Sequence, residues 1–275
     1  MAKIRTPRAE WLTLIDIDGP FLDPGILKEA FPGGVVDWFR DRKQTRRDVI
    51  QAFEEWSEQG YSRSLQRPWF DIVFRDALEY RADRLLEGPA IPEALRVRSR
   101  ESGLAIGPDL VLTGADGAPM LLIRTLPPEQ RTNAARKDQP GAQRPVDEMI
   151  ELLKRSGQAQ LGLVTNGRVW SLVHAVEGTD VTSTIATWDA ALWREEPITF
   201  DAFAALLEDH RFSGVAPDDT LPGLFTRSKD APQLVTDQLG LQVRQAIEIL
   251  VSAIDRANRE RGGILLEGVT PETVY

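Results

Sequence analysis

Two short runs of branched apolar residues, Asp109–Leu112 and Met120–Leu126, flank Thr-Gly-Ala-Asp-Gly-Ala. A second pair, Leu161–Thr165 and Val169–Val173, flanks Asn166-Gly167. Asp-Gly and Asn-Gly between apolar runs predict hairpins, because these residues tolerate the positive φ of a type I′ turn. Between the hairpins, Arg144–Arg155 carries Val146, Met149, Ile150 and Leu153 at helical spacing. The predicted order is strand, strand, helix, strand, strand. Thr182–Thr187 extends the β region, and Trp188–Trp193 begins a turn or short helix.

Helical patterns lie on both sides of this centre. Asp23-Pro24 opens a helix as a capping Asp followed by Pro, with Ile26, Leu27, Ala30 and Phe31 on its apolar face. Thr45–Glu58 places Val49, Ile50, Phe53 and Trp56 on one side, and Pro68–Leu86 reads as a third helix. Downstream, Thr199–Leu207 reads as a helix capped by Thr199 with Phe200, Phe203, Ala204 and Leu207 inward. Leu234–Arg261 repeats apolar residues every three or four positions. The fold class is therefore α+β (mixed α/β): a mixed sheet flanked by helices, with helical N-terminal and C-terminal segments. The divisions are a helical segment 1–90, a core 91–211, a Pro/Gly/Asp-rich linker 212–233 and a helical connector 234–275. Near the end, Thr270-Pro271-Glu272 starts a helix one turn before Tyr275, and we expect a longer parent chain.

Charge narrows the choice of partners. The 275 residues carry a net charge of −9, all of it from one third: residues 1–168 hold 25 basic and 25 acidic residues, residues 169–275 hold 8 and 17. Nucleic-acid contacts are thus expected before residue 169. The acidity also suits a solubilising surface. With no Cys there is neither a disulfide framework nor a thiolate site, which fits a reducing cytoplasm, and two His are too few for a His-built metal centre. No run approaches the roughly 20 apolar residues of a membrane helix.

Several residues carry candidate chemistry. Asp16-Ile-Asp18-Gly19 has the Asp-x-Asp-Gly form of haloacid-dehalogenase-type phosphatases, but Pro20 follows, and a short apolar segment closing on a Gly-Pro turn explains it equally. Arg40, Arg42, Lys43, Arg46 and Arg47 cluster at a helix start, as a phosphate contact or a solvated face. Pro127–Pro145 is a polar arm whose Arg131, Arg136, Lys137 and Arg144 suit either a DNA backbone or a surface loop. Arg168 beside the Asn-Gly turn is a further candidate contact.

The strand order, with Pro108-Asp109 opening the first strand, resembles the core of restriction-endonuclease-like (PD-(D/E)xK) nucleases. That resemblance implies an Asp and a Glu-x-Lys on adjacent strands, the carboxylates holding a divalent metal and the Lys activating water. Here Arg124-Thr125-Leu126 occupies the Glu-x-Lys place, so Asp109, Arg124 and Leu126 mark a degenerate site with no catalysis and no metal expected; Arg124 is free to pair with Asp109 or reach a phosphate. Glu101 is positioned in sequence to substitute for the missing acid.

More broadly, Glu10-Trp11-Leu12, Ile17-Asp18-Gly19-Pro20-Phe21-Leu22, Pro108-Asp109-Leu110-Val111 and Leu163–Trp170 resemble the N-terminal region of type IIG-like restriction–modification and phage-defence (DISARM-like) DNA methyltransferases. Gln242–Ala246 and Gly268–Pro271 extend the likeness. The resemblance implies a DNA-facing domain ahead of an adenine-N6 methyltransferase module that uses S-adenosylmethionine. Neither its Asn-Pro-Pro-Tyr/Phe motif nor a Gly-rich cofactor loop occurs in these residues. Implied partners are double-stranded DNA, the methyltransferase module and other defence-system subunits; the alternatives are a pure interaction module and a phosphatase using Asp16 and Asp18.

Overall fold

The computed structural model of the chain describes residues 10–38, 42–135, 143–178 and 182–230, with the helical residues Ile247, Ile254 and Arg256. Residues 1–230 form one compact unit and 231–275 another; the sheet belongs to the first. Most of the expected long helix 234–261 lies outside the described residues, as do the helix start at Thr270 and the basic residues Arg136 and Lys137.

Seven strands make one open mixed sheet. In chain order they are β1 (Asp16–Asp18), β2 (Leu85–Glu87), β5 (Leu110–Thr113), β6 (Pro119–Thr125), β7 (Leu161–Thr165), β8 (Val169–His174) and β9 (Thr184–Asp189). β3 (Val97–Arg98) and β4 (Ala105–Ile106) pair as a separate small hairpin. The spatial order is β1-β9-β8-β7-β6-β5-β2. Neighbours are antiparallel except β6 and β7, which run parallel from Leu121 opposite Leu161 to Thr125 opposite Thr165. A parallel pair requires a crossover connection. The helix Pro145–Ser156 supplies it, as the apolar spacing predicts.

That crossover helix buries Val146, Met149, Leu152 and Leu153 against Val111, Leu122, Val164 and Val173 on one face of the sheet. Asp147 and Glu148 in its first turn, with Lys154 and Arg155 in its last, suit the helix dipole. Leu110, Leu112, Leu121, Ile123, Leu161, Leu163 and Trp170 point to the opposite face, under the helices drawn from both ends of the chain. The alternation of strand residues between two buried faces follows directly from the pleat. Fully burying one such Val, Leu or Ile contributes about 1.5–3 kcal/mol.

The flanking helices follow the sequence in part. We number them α1 (Pro24–Ala30), α2 (Val35–Trp38), α3 (Lys43–Glu58), α4 (Arg63–Asp71), α5 for the crossover, α6 (Pro197–Leu207), α7 (His210–Ser213) and α8 (Leu221–Asp230). Asp23 caps α1, its Oδ1 accepting from Gly25 N at 2.7 Å and Ile26 N at 3.2 Å. The expected third helix is corrected at both ends. α4 begins at Arg63 with Pro68 inside it, widens into a π-helix over Ile72–Ala77, and stops. Leu85 and Leu86 are instead in β2, paired with Leu112 and Val111. A two-leucine run has no period of its own, and pairing along β5 decides it.

Two further expectations change. Thr199 lies inside α6 rather than capping it, its hydroxyl donating to Glu196 O at 2.7 Å. All of α6 from Thr199 to Leu207 is buried, even Asp201, because Trp170 and Trp188 of the sheet pack on Phe203 while α2 also packs against the helix. Arg46 of α3 meets Asp201 at 2.8 Å, yet burial still pushes this carboxyl above its ordinary pKa. The expected linker is also structured over its middle: α8 buries Leu221, Leu224 and Phe225. Finally, the first ninety residues are not simply helical, since they supply β1 and β2, the two outermost strands of the sheet.

Candidate functional site

Asp109 stands where the antiparallel hairpin meets the parallel pair. Its N–H donates to Ile123 O at 2.8 Å, carrying the β5–β6 ladder one residue beyond β5. Its carboxylate turns across the end of β6, accepting Thr125 N at 2.7 Å and Thr125 Oγ1 at 3.3 Å. Leu126 N donates to Thr165 O at 2.7 Å, so this point is also the carboxyl end of the parallel strands. Carboxyl ends of parallel strands are where open mixed sheets take ligands. A cleft of about 210 Å³ opens here, floored by Phe70, Phe74 and Leu110 and edged by Asp109, Thr125, Arg63, Gln66 and Arg67.

α4 is tied over this cleft. Gln66 Nε2 donates to Leu126 O at 2.8 Å and to Asn166 O at 2.9 Å, bridging the ends of β6 and β7. Arg63 pairs with Glu129, and Arg67 pairs with Glu87 at 2.8 Å. The hydrogen bond from Arg67 holds Glu87 below the usual carboxylate range. None of Arg63, Gln66 or Arg67 was singled out from sequence, since Glu129, Leu126, Asn166 and Glu87 lie 20 or more residues away and only the Arg67–Asp71 pair, at 3.6 Å, is local. The π-helix that carries Phe74 was equally hidden, although such irregular turns cluster at functional sites.

Arg124 and Asp109 are on neighbouring strands, but their side chains do not meet. Arg124 follows Leu122 on the α5 side of the sheet and pairs with Glu148 in the first turn of α5. Leu126 is buried in the α5-side core, where its apolar character belongs. Glu101 lies exposed in the β3–β4 turn, accepting from Gln143 Nε2, so the sequence expectation that it joins Asp109 finds no contact between them. The donor set does not fit a divalent ion: one carboxylate, a hydroxyl and amide, and cations around them. Among the described residues no group of three or more His, Asp or Glu is placed to ligate a metal.

The other expected phosphate contacts are largely engaged within the chain. Arg144 forms a bidentate pair with Asp147, at 2.6 and 2.7 Å. Arg168 spans Asp189, with Nη2 to Oδ2 at 2.9 Å. Arg131 is exposed and edges a second cleft beside Asp16 and Asp189. Asp16 and Asp18 sit exposed on the edge strand β1, antiparallel to β9. Gly19 has φ +85°, and a Cβ there would lie 2.3 Å from Ser183 O. The Asp-Gly-Pro sequence thus has a turn-forming reason independent of phosphate chemistry.

The Thr-Asn-Gly-Arg hairpin is the packing centre beside the cleft. Only Gly167 takes positive φ, +93°; Asn166 N donates to Val169 O at 3.3 Å, so the two-residue loop is Gly167-Arg168 rather than Asn166-Gly167. Asn166 Oδ1 accepts from Arg168 N and Val169 N, and its Nδ2 donates to Pro128 O and Gln130 O. The near half of the polar arm is therefore pinned by one amide. Trp69 Nε1 and Trp170 Nε1 both donate to Gly167 O, at 2.8 and 3.1 Å.

The fold and this strand-end site together define a mixed α+β domain with a cleft between α4 and the ends of β2, β5 and β6. Comparison with protein-family models, curated proteins and solved structures finds no match for the chain. Among the described residues no helix is long and apolar enough to cross a membrane.

Proposed function

We propose that this domain is a DNA-facing, nuclease-inactive module, related in its core to restriction-endonuclease-like nucleases and working beside an S-adenosylmethionine-dependent adenine methyltransferase. The observation that carries the reading is the placement of Asp109. One carboxylate stands at the junction of an antiparallel hairpin and a parallel βαβ crossover, with Arg124 and Leu126 at the positions of the missing acid and base. A metal-dependent hydrolase needs at least a second carboxylate at that point to hold its ion. Arg124 faces Glu148 and Leu126 the core, so neither residue is poised for chemistry. What remains is a cleft rimmed by Arg63 and Arg67, each paired with its own carboxylates, next to a strand end where a phosphate backbone can lie.

The test uses the purified chain with a labelled duplex and Mg²⁺. Weak, salt-sensitive binding without strand cleavage is expected. Mg²⁺-dependent nicking that disappears in Asp109→Ala would overturn the inactive-site reading. The pairing of Arg124, Arg144 and Arg168 with their own carboxylates favours a second reading, a protein-interaction module docking on a partner subunit. It predicts no DNA binding at low salt but capture by a methyltransferase subunit.

A further inference from the structure

A different set of arginines has fewer such partners. Along residues 95–100 burial alternates: Leu95 and Ser99 are buried and Val97 half-buried, while Arg96, Arg98 and Arg100 are exposed. The cause is the small β3–β4 hairpin, where Val97 opposite Ile106 turns toward the α5-side core and Arg98 opposite Ala105 turns out. We propose that Arg96, Arg98 and Arg100 form the row that grips the phosphate backbone of duplex DNA. This inference rests on the DNA-facing reading and gives it a surface that the sequence reading missed.

Alternate positions of an extended chain are about 6.7 Å apart, which separates Arg96 from Arg98, and Arg100 follows in the turn after the strand. A phosphate backbone, with its closely repeated single negative charges, is the partner that such a run of exposed cations fits. Among the described residues no carboxylate lies within ion-pair distance of the Arg98 or Arg100 guanidinium, and Arg96 has only Glu93, at 3.8 Å. The nearby Glu151 uses Oε1 to accept Arg100 N at 2.7 Å and Arg155 Nη1 at 3.2 Å. Arg155 Nη1 also donates to Arg98 O, which brings a fourth guanidinium beneath the strand. The stem of Arg96 lies across Gly107, where a Cβ would sit 3.0 Å from Arg96 Cγ, two residues before Asp109. The row therefore runs up to the segment that opens the strand-end cleft.

The experiment is fluorescence anisotropy of a labelled duplex with the whole chain, titrated at salt concentrations from about 50 to 200 mM. The variant is R96Q/R98Q/R100Q, which keeps part of each aliphatic stem and replaces only exposed groups; circular dichroism checks its fold. Three lost phosphate contacts should make the slope of log K against log salt shallower by about 2 to 3 and weaken binding at least tenfold at low salt. R96K/R98K/R100K should bind close to wild type. Unchanged affinity and slope in the Gln variant would overturn the row while leaving a DNA-facing domain standing. Failure of the wild type to bind duplex at low salt would overturn both. Binding to anionic vesicles but not to DNA, lost in the Gln variant, would overturn DNA as the occupant.

Discussion

Replacing Gly167 by Ala puts the packing of the Asn-Gly hairpin to a quantitative test. Gly167 has φ +93°, a conformation that costs an L-residue about 1–2 kcal/mol. The added methyl would lie 2.6 Å from Trp56 Cη2, 2.9 Å from Trp56 Cζ3 and 3.2 Å from Trp69 Cδ1. Neither ring can swing away easily: Trp56 Nε1 is anchored on Ser62 O at 2.9 Å and Trp69 Nε1 on Gly167 O itself. Overpacking of this kind adds about 1–3 kcal/mol. The sum, about 2–5 kcal/mol, is a large part of a typical domain's stability.

For a unit of this size the loss should lower Tm by roughly 4–20 °C, read by circular dichroism and tryptophan fluorescence. The two contributions separate in a double-mutant cycle. Trp56→Leu empties the space that the methyl invades, so G167A should be less damaging in that background, with a coupling of about 1–3 kcal/mol. If G167A melts within about 2 °C of wild type, the loop relaxes freely and its role as a fixed hub is refuted.

Two further outcomes follow from the core. Burial, reinforced by Lys229, draws the His174 imidazole down to about 4, and its ring stacks on Phe225 of α8 at 4.3 Å. The folded state therefore takes up its proton later than the unfolded one. Stability contributed by neutral His174 is complete above the ordinary His pKa and is lost as pH falls from about 6.5 toward 4, by roughly 3 kcal/mol. Denaturant melts across that window should show a smaller pH dependence in His174→Phe; an unchanged slope would refute the assignment. Restoring a nuclease-like Lys by Leu126→Lys should bury an unpaired ammonium and destabilise by about 3–5 kcal/mol. A variant that melts like wild type would show that Leu126 is not the core residue described.

The centre of the fold was legible because its signals are local. The two hairpins and α5 follow from turn residues and apolar spacing within a dozen positions of one another. What was hidden depends on distant partners. Leu85 and Leu86 become a strand only because β5 is beside them, and Pro68 is tolerated inside α4 because Phe70 and Trp69 are held in the core. The fates of Arg124 and Arg168 depended on Glu148 and Asp189, more than twenty residues further along, whereas Arg144–Asp147, three apart, was readable from helical spacing. The alternation Arg96-Val97-Arg98-Ser99-Arg100 was also present in the sequence. It carried no weight because a two-residue strand leaves almost no apolar pattern around it.

The sheet's two borders come from residues 16–18 and 85–87, yet the strand that receives the first of them, β9, is made only at residues 184–189. During synthesis, Asp16–Asp18 must wait for most of the domain to emerge before it finds its place. Such distant closure is characteristic of slow folding topologies. Until it happens, the row of β9 amides and carbonyls facing away from β8 is open to any other extended chain. The short β1 is thus what closes that border, and a nascent or partly unfolded copy without it is exposed to self-association there.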